Sequence, residues 1–212
     1  MKPQKIFLIR QGESIANLDR NHYGSLQGHN IPLTDEGISQ AKECGLILKD
    51  KLISNNIFFY LSPYLRTKQT YEAILSQLGD INKKVREEPR IREQDFGNPR
   101  DQFIDFTQDP DYSKMGSFFY RFPNGENGAD VYDRISSFFY TLHRNFSKPD
   151  FPENVIIITH GMLMRLFLMR WYHWTVEEFE RLANPPNCYI CTMILVDDKY
   201  ILEEPIPKKH KK

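Results

Sequence analysis

Cysteine is scarce in this chain. Three residues, Cys44, Cys188 and Cys191, cannot build a disulfide framework in 212. A reducing, intracellular compartment is the expectation, with a cytoplasmic location. Long apolar runs are lacking as well. Ile57–Leu61 and Val155–Ile158 are the longest, far short of the roughly 20 residues a spanning helix needs, so no membrane partner is expected. Met1-Lys-Pro-Gln-Lys precedes only the short, strand-like run Ile6–Ile9, which is not the core of a secretory leader. Excess charge of one sign is missing too: 28 Lys and Arg balance 28 Asp and Glu. That balance argues against a general nucleic-acid binder and leaves room for a local basic pocket. No internal repeat, low-complexity tract or linker interrupts the sequence, so a single domain over 1–204 is expected, with a basic tail over 205–212. Metal-ligand spacing is also absent. His22 and His29 flank a loop without a second pair, and no metal is expected. Cys188 and Cys191 stand three apart on a predicted strand and so face opposite sides, which rules against a zinc knuckle or redox pair.

What the chain does have is ordinary globular composition, 40% hydrophobic and 26% charged, with 13% aromatics. Lys5–Ile9, Ile57–Leu61 and Val155–Thr159 are short apolar runs without alternation. They read as strands buried on both faces, the pattern of a parallel sheet. A third strand is placed near Val85. Thr34 is a good N-cap, followed by Asp35 and Glu36, for a helix with Ile38, Ala41, Gly45 and Leu48 inward, fading near Ser54. Ser62-Pro63 reads as N-cap and first-turn proline of a helix that Gly79 ends. Helices are also predicted over Asp130–Phe146, Met162–Trp171 and Val176–Leu182. Cys188–Val196 and Tyr200–Leu202 should form a hairpin around Asp197-Asp198, and the residues from Pro205 on should be frayed. Alternating strands and helices predict an α/β three-layer sandwich, a mainly parallel central sheet flanked by helices.

Two strand ends carry polar groups suited to chemistry. The first gives Arg10-Gln11-Gly12-Glu13-Ser14 and the last parallel strand gives Thr159-His160-Gly161. In open α/β sheets ligands bind outside the carboxyl ends of strands. Arg66, on the first turn of the helix after the second strand, adds a cation that reads as solvent-facing within the pocket. Two guanidinium groups and an imidazole at one sheet edge suit a phosphate-sized anion. Glu93, after the third strand, is a candidate proton donor to a leaving oxygen. Each residue alone is more common as a surface charge or a satisfied loop residue; their joint placement is informative.

These segments resemble the motifs of the histidine phosphatase superfamily, the phosphoglycerate-mutase-like fold. Leu8-Ile-Arg-Gln-Gly-Glu-Ser is similar to its Leu-Val/Ile-Arg-His-Gly-Glu-Ser/Thr signature. Ser62-Pro-Tyr-Leu-Arg-Thr-Lys-Gln-Thr, Ile91-Arg-Glu-Gln-Asp-Phe-Gly, Gly125-Glu-Asn-Gly-Ala-Asp-Val-Tyr-Asp-Arg and Ile158-Thr-His-Gly-Met-Leu-Met-Arg follow in the family's order. Within the family the nearest resemblance is to phosphoglycerate-mutase-like proteins of plants and fungi. The resemblance implies that Arg10, Asn17, Arg66 and His160 bind phosphate. It makes Glu93 the proton donor and acceptor, with Asp95 and Glu126 the next carboxylates to consider. It calls for no cofactor, makes a small phosphorylated substrate or phosphate ion the ligand, and allows a homodimer.

The chain departs from the family at position 11, where Gln11 stands in place of the nucleophilic histidine. An amide nitrogen, its lone pair delocalised, is not a nucleophile at neutral pH, so the resemblance implies a phosphatase disabled at Gln11. The intact partners favour that reading over its rival, a natural pseudophosphatase that binds or scaffolds a phospholigand. A mutase is the weaker alternative, because Glu93-Gln-Asp-Phe-Gly replaces the mutase continuation and no Arg-Arg pair is present. The cap segment, about 98–128, offers Phe103, Phe106, Tyr112, Phe118, Phe119, Tyr120 and Phe122. These read first as core packing of the cap and second as an apolar substrate wall. Lys208-Lys-His-Lys-Lys reads as a solvated tail rather than a nuclear signal.

Overall fold

The structure, a computed structural model, describes residues 2–19, 28–97 and 109–209. Six strands form one sheet: β1 (Lys5–Arg10), β2 (Asn56–Leu61), β3 (Asn82–Glu87), β4 (Asn154–Thr159), β5 (Ile190–Val196) and β6 (Lys199–Leu202). Their spatial order is β3-β2-β4-β1-β5-β6. The first four run parallel, while β5 lies antiparallel to β1 and β6 antiparallel to β5. The helices are α1 (Ile15–Leu18), α2 (Asp35–Lys51), α3 (Leu65–Leu78), α4 (Pro110–Phe119), α5 (Gly128–Phe146), α6 (Gly161–Tyr172) and α7 (Val176–Glu180).

Strand β1 shows why the apolar runs lack alternation. Ile6 and Leu8 enter the core that α5 and α6 complete, while Phe7 and Ile9 enter the core shared with α2 and α3. Both faces are dry, so every position from Ile6 to Ile9 is apolar. The three expected layers follow. Cys191 sits in the first core and Cys188 packs against the second, on opposite sides of the sheet. β3 is exposed along its whole length and carries Lys83, Lys84, Arg86 and Glu87, charges suited to an unpaired sheet edge. The Asp197-Asp198 turn closes the β5–β6 hairpin with both residues at positive φ, 46° and 65°, as a tight hairpin requires.

Several expectations need correction. α2 stops at Lys51 rather than fading near Ser54, and α7 ends at Glu180. Ser62 does not cap α3, whose N-cap is Tyr64. The Ser62 carbonyl instead accepts a hydrogen bond from Thr67 Oγ1 at 2.8 Å, and its hydroxyl is taken by the site described below. The segment from Pro205 is not frayed through Lys209. Ile206 is buried, Ala183 donates its backbone N–H to the Pro207 carbonyl at 2.8 Å, and Lys209 donates to the Arg181 carbonyl at 2.8 Å. Ile206 provides the apolar anchor that Lys-rich composition concealed. The remainder of the basic tail, 210–212, lies outside the described residues, as do His22, Phe103 and Phe106.

Candidate functional site

The register of the sheet builds the site. Arg10 pairs with Thr159 across β1 and β4, so Gln11 and His160 leave neighbouring strands side by side. Gln11 donates its backbone N–H to the Thr159 carbonyl at 2.9 Å. Its own carbonyl accepts from the backbone N–H of Cys188 at 3.3 Å and from Asn187 Nδ2 at 3.1 Å. The Gln11 side chain is 4% exposed, and its Oε1 has no hydrogen-bond partner among the described residues. Gly12 follows because nothing larger fits: a Cβ there would lie 2.4 Å from the Gly37 carbonyl oxygen. The reverse holds at Gly37, the third residue of α2, where a Cβ would lie 2.0 Å from the Glu13 carbonyl oxygen. Thr34 reinforces that junction, its hydroxyl donating to Glu13 Oε1 at 2.8 Å while accepting from the Gly37 N–H at 2.9 Å.

His160 is fully buried at the N-cap of α6. Its Nε2 shares a 2.7 Å hydrogen bond with Ser62 Oγ, which is where the presumed helix cap is spent. Its Nδ1 has no partner among the described residues. Burial, then the nearby Arg66, Arg134 and Arg10, hold its pKa well below the usual imidazole range, so the ring is neutral. Tyr64 meets the ring edge-on at 5.1 Å between centroids and lies 4.8 Å beneath the Arg66 guanidinium. Arg66 is 2% exposed, which overturns the expectation that it faces solvent. It sits at the start of α3, where the chain turns inward under the Gly28 carbonyl that accepts from its Nη1 at 2.8 Å. Arg10 is half-buried, and its Nη1 donates to the Pro185 carbonyl. Asn17, on exposed α1, has its Oδ1 occupied by the Ser14 N–H at 2.9 Å and by Asn187 Nδ2 at 3.4 Å. Its amide donor is thereby the end free to turn outward.

Glu93 arrives on the segment after β3. Burial pushes its pKa up, more strongly than the Gln94 N–H, Arg66, Arg10 and Arg134 pull it down. Arg134 on α5 fixes this segment. Its Nη1 donates to the carbonyls of Arg90 at 2.6 Å and Arg92 at 2.9 Å, and its Nη2 to the Glu93 carbonyl at 3.2 Å. Glu126 holds Arg134 from the other side, at 3.1 and 3.0 Å, and pairs with Arg92 at 2.7 Å. Glu126 is therefore committed to structure. Asp95 is exposed and accepts from the Gly97 N–H at 2.9 Å.

Arg10, Gln11, Arg66, Glu93 and His160 thus converge at one edge of the sheet, with Asn17 at its rim. The sequence reading missed the role of Ser62, the clamp made by Arg134, and the 184–187 loop. That loop reaches Arg10 and Gln11, and Asn184 Oδ1 would lie 2.0 Å from a Cβ at Gly161. The described cap aromatics pack on one another: Tyr112 on Tyr120, Tyr120 on Phe122, and Phe118 on Phe179. Phe119 alone of these is half-exposed, at 50%. Among the described residues no group of three or more His, Cys, Asp or Glu could hold a metal ion. Nor is any helix there long and apolar enough to cross a membrane.

Comparison with known proteins adds a family. The family model for the histidine phosphatase superfamily (branch 1) matches residues 6–205. The chain is 41% identical to phosphoglycerate mutase-like protein AT74H of Arabidopsis thaliana, over 92% of this chain and 75% of that one. It is 32% identical to the broad-range acid phosphatase DET1 of Saccharomyces cerevisiae, over 98% and 90%. Among solved structures, a mycobacterial glucosyl-3-phosphoglycerate phosphatase in complex with VO3 superposes with a TM-score of 0.73 at 17% identity, covering 97% of this chain and all of that one. A mutant phosphoserine phosphatase of Entamoeba histolytica in complex with phosphoserine gives 0.68 at 23%, covering 94% and 95%. At such identities the structural likeness speaks to fold alone.

Proposed function

The chain belongs to the histidine phosphatase superfamily, and from that premise we propose that its pocket binds the phosphoryl group of a small phosphomonoester and, with Gln11 in place, holds it without turnover. The observation that carries this reading is the β1–β4 register, which sets Gln11 beside a neutral, buried His160 between two arginines. Arg10 and Arg66 supply charge to the phosphoryl oxygens, and Asn17 adds an amide donor at the rim. His160 donates through Nδ1–H, the ring atom without a hydrogen-bond partner among the described residues. A neutral ring that donates there must accept at Nε2, so the Ser62 hydroxyl is the donor of their shared hydrogen bond.

The amide of Gln11 can hydrogen-bond a phosphoryl oxygen but cannot form a bond to phosphorus. A histidine there would complete a two-step displacement. Its ring nitrogen attacks phosphorus, the bond to the leaving oxygen breaks, and the Glu93 proton passes to that oxygen. Water then attacks phosphorus, the P–N bond breaks, and Glu93 takes the water's proton. The positive charge around the oxygens acts in both steps.

Replacing Gln11→His and assaying an aryl phosphate tests the reading. Loss of a covalent nucleophile costs on the order of 10³–10⁶ in rate. The variant should therefore gain at least about a thousandfold over the parent, roughly 4 kcal/mol of barrier. A variant that binds phosphate yet stays inert would favour the second reading, a natural pseudophosphatase. The amide at position 11, which cannot form a bond to phosphorus, is what keeps that reading in play. Activity appearing only with 3-phosphoglycerate and a bisphosphoglycerate primer would mark a mutase. A cytoplasmic location belongs to the same proposal and rests on three free cysteines.

A further inference from the structure

Tyr64 is held firmly in the phosphoryl pocket while its hydroxyl is left over. Its backbone carbonyl accepts from the N–H groups of Thr67 and Lys68 at 3.1 and 3.2 Å and from Thr67 Oγ1 at 2.6 Å, which ties it to the first turn of α3. Its ring meets His160 edge-on, with centroids 5.1 Å apart, and carries the Arg66 guanidinium 4.8 Å from its centre. Two of the groups assigned to phosphate thus grip the ring. The hydroxyl makes no hydrogen bond with a described residue, and unlike that of Tyr172 it is not sealed from water. Other phenols of the chain are spent on structure. Tyr60 accepts from Asn145 Nδ2 at 2.7 Å, Tyr120 donates to Asp109 at 2.8 Å, and Tyr189 and Tyr200 donate to the carbonyls of Pro205 and Pro3. A rigid ring with an unspent polar tip inside a pocket is suited to recognition.

The surroundings of Tyr64 say what that tip can receive. It feels the charges of Arg66, Glu93, Arg92 and Asp95, which sets it beside the segment that carries the proton donor. Burial raises its pKa, so the phenol keeps its proton and can both donate and accept. Of the two cations, Arg66 is engaged by the phosphoryl group and Arg92 by Glu126 at 2.7 Å. Glu93 and Asp95 remain, and neither gives an anion anything to pair with. A hydroxyl, neutral and itself both donor and acceptor, is the complementary group. A phosphomonoester seated on Arg10, Arg66 and His160 directs its leaving oxygen to Glu93, and the carbon chain on that oxygen passes Tyr64. We propose that the Tyr64 hydroxyl determines specificity by hydrogen-bonding a hydroxyl borne close to the ester carbon of the leaving group, which makes phosphomonoesters of polyols or sugars the favoured class. This rests on the phosphoryl pocket assigned above.

Binding to the chain as it stands, with Gln11 in place, tests the proposal without turnover. The probes are inorganic phosphate, 2-hydroxyethylphosphonate against propylphosphonate, and 3-hydroxypropylphosphonate against butylphosphonate, titrated calorimetrically. Each pair sets a hydroxyl against a methyl group at one position, and the pairs differ in reach. In at least one pair the hydroxyl ligand should bind at least about threefold tighter, the worth of one neutral hydrogen bond. Tyr64→Phe keeps the ring between His160 and Arg66 and removes only the hydroxyl, so it should erase that preference. The readout is a ratio, and any loss of affinity common to both ligands cancels. Equal or weaker binding of the hydroxyl ligand in both pairs overturns the proposal, as does a preference that survives Tyr64→Phe. Phosphate binding without preference sinks this inference alone, whereas failure to bind inorganic phosphate at all sinks the pocket and this inference together.

Discussion

At the scale of single residues, the site is a contest between burial and charge, and Glu93 shows which wins. Three arginines act on its carboxyl, yet burial dominates and the pKa rises. The folded chain therefore keeps the Glu93 proton over a pH window in which the unfolded chain has lost it. The stability this contributes is complete below the unfolded carboxyl's pKa and is lost as pH rises through the folded value. Glu93→Gln removes that dependence. The variant should melt with the parent near about pH 4 and above it near about pH 8. Calorimetric melts across that range check this, and a parent equally stable at both ends relative to the variant would refute it. In a Gln11→His background the same substitution should slow esters of poor leaving groups far more than activated aryl esters, which need little protonation. His160 has the opposite sign: its depressed pKa means that acid favours the unfolded chain, which binds the proton more readily.

At the scale of elements, the pocket loop and the start of α2 touch backbone to backbone. The Gly12 and Gly37 positions leave no space for a methyl group, and the atoms in the way are carbonyls rather than mobile side chains. Gly37→Ala should cost about 1–3 kcal/mol of stability, as overpacking does, and weaken phosphate binding by displacing the loop after β1. Urea unfolding and phosphate titration measure both; an unchanged urea midpoint would show that the junction has slack. The elements themselves were largely legible, because strands buried on both faces and helices with strong caps announce themselves locally. Thr34 capped as its own sequence suggested. Ser62 did not, because His160, 98 residues away, competes for its hydroxyl and no local rule registers that distance. The Arg134 clamp and the 184–187 loop escaped for the same reason. The carbonyls that Arg134 clamps lie 41 to 44 residues off, and Arg10 and Gln11 lie 175 and 176 residues from the loop groups that meet them, with no period or composition to mark either.

At the scale of the whole molecule, the C-terminal segment belongs to the fold rather than trailing from it. An isolated bridge joins Leu182 to Lys208, and Ile206 is buried in the core that α5 and α6 complete. Removing residues 205–212 exposes that isoleucine's contacts, a loss of about 2 kcal/mol by its apolar area. For a chain of this size that corresponds to a melting temperature lower by roughly 4–8 °C. A truncated chain that melts with the parent would mean the segment only rests on the surface. Composition hid this, since one isoleucine among prolines and lysines reads as a tail.

The placement of β1 bears on how the molecule comes to exist in time. β1 is synthesised well before both its neighbours, β4 and β5, which lie far along the chain from it. Arg10 and Gln11 wait likewise for Pro185 and Cys188 to settle their hydrogen bonds. At about 5–20 residues per second, a ribosome leaves that apolar strand without partners for roughly 7 to 30 seconds. Phosphate could not assist the nascent chain, because the proposed cradle closes only once Pro185 and Cys188 have been made. The interval of greatest exposure to aggregation thus falls before any ligand can help.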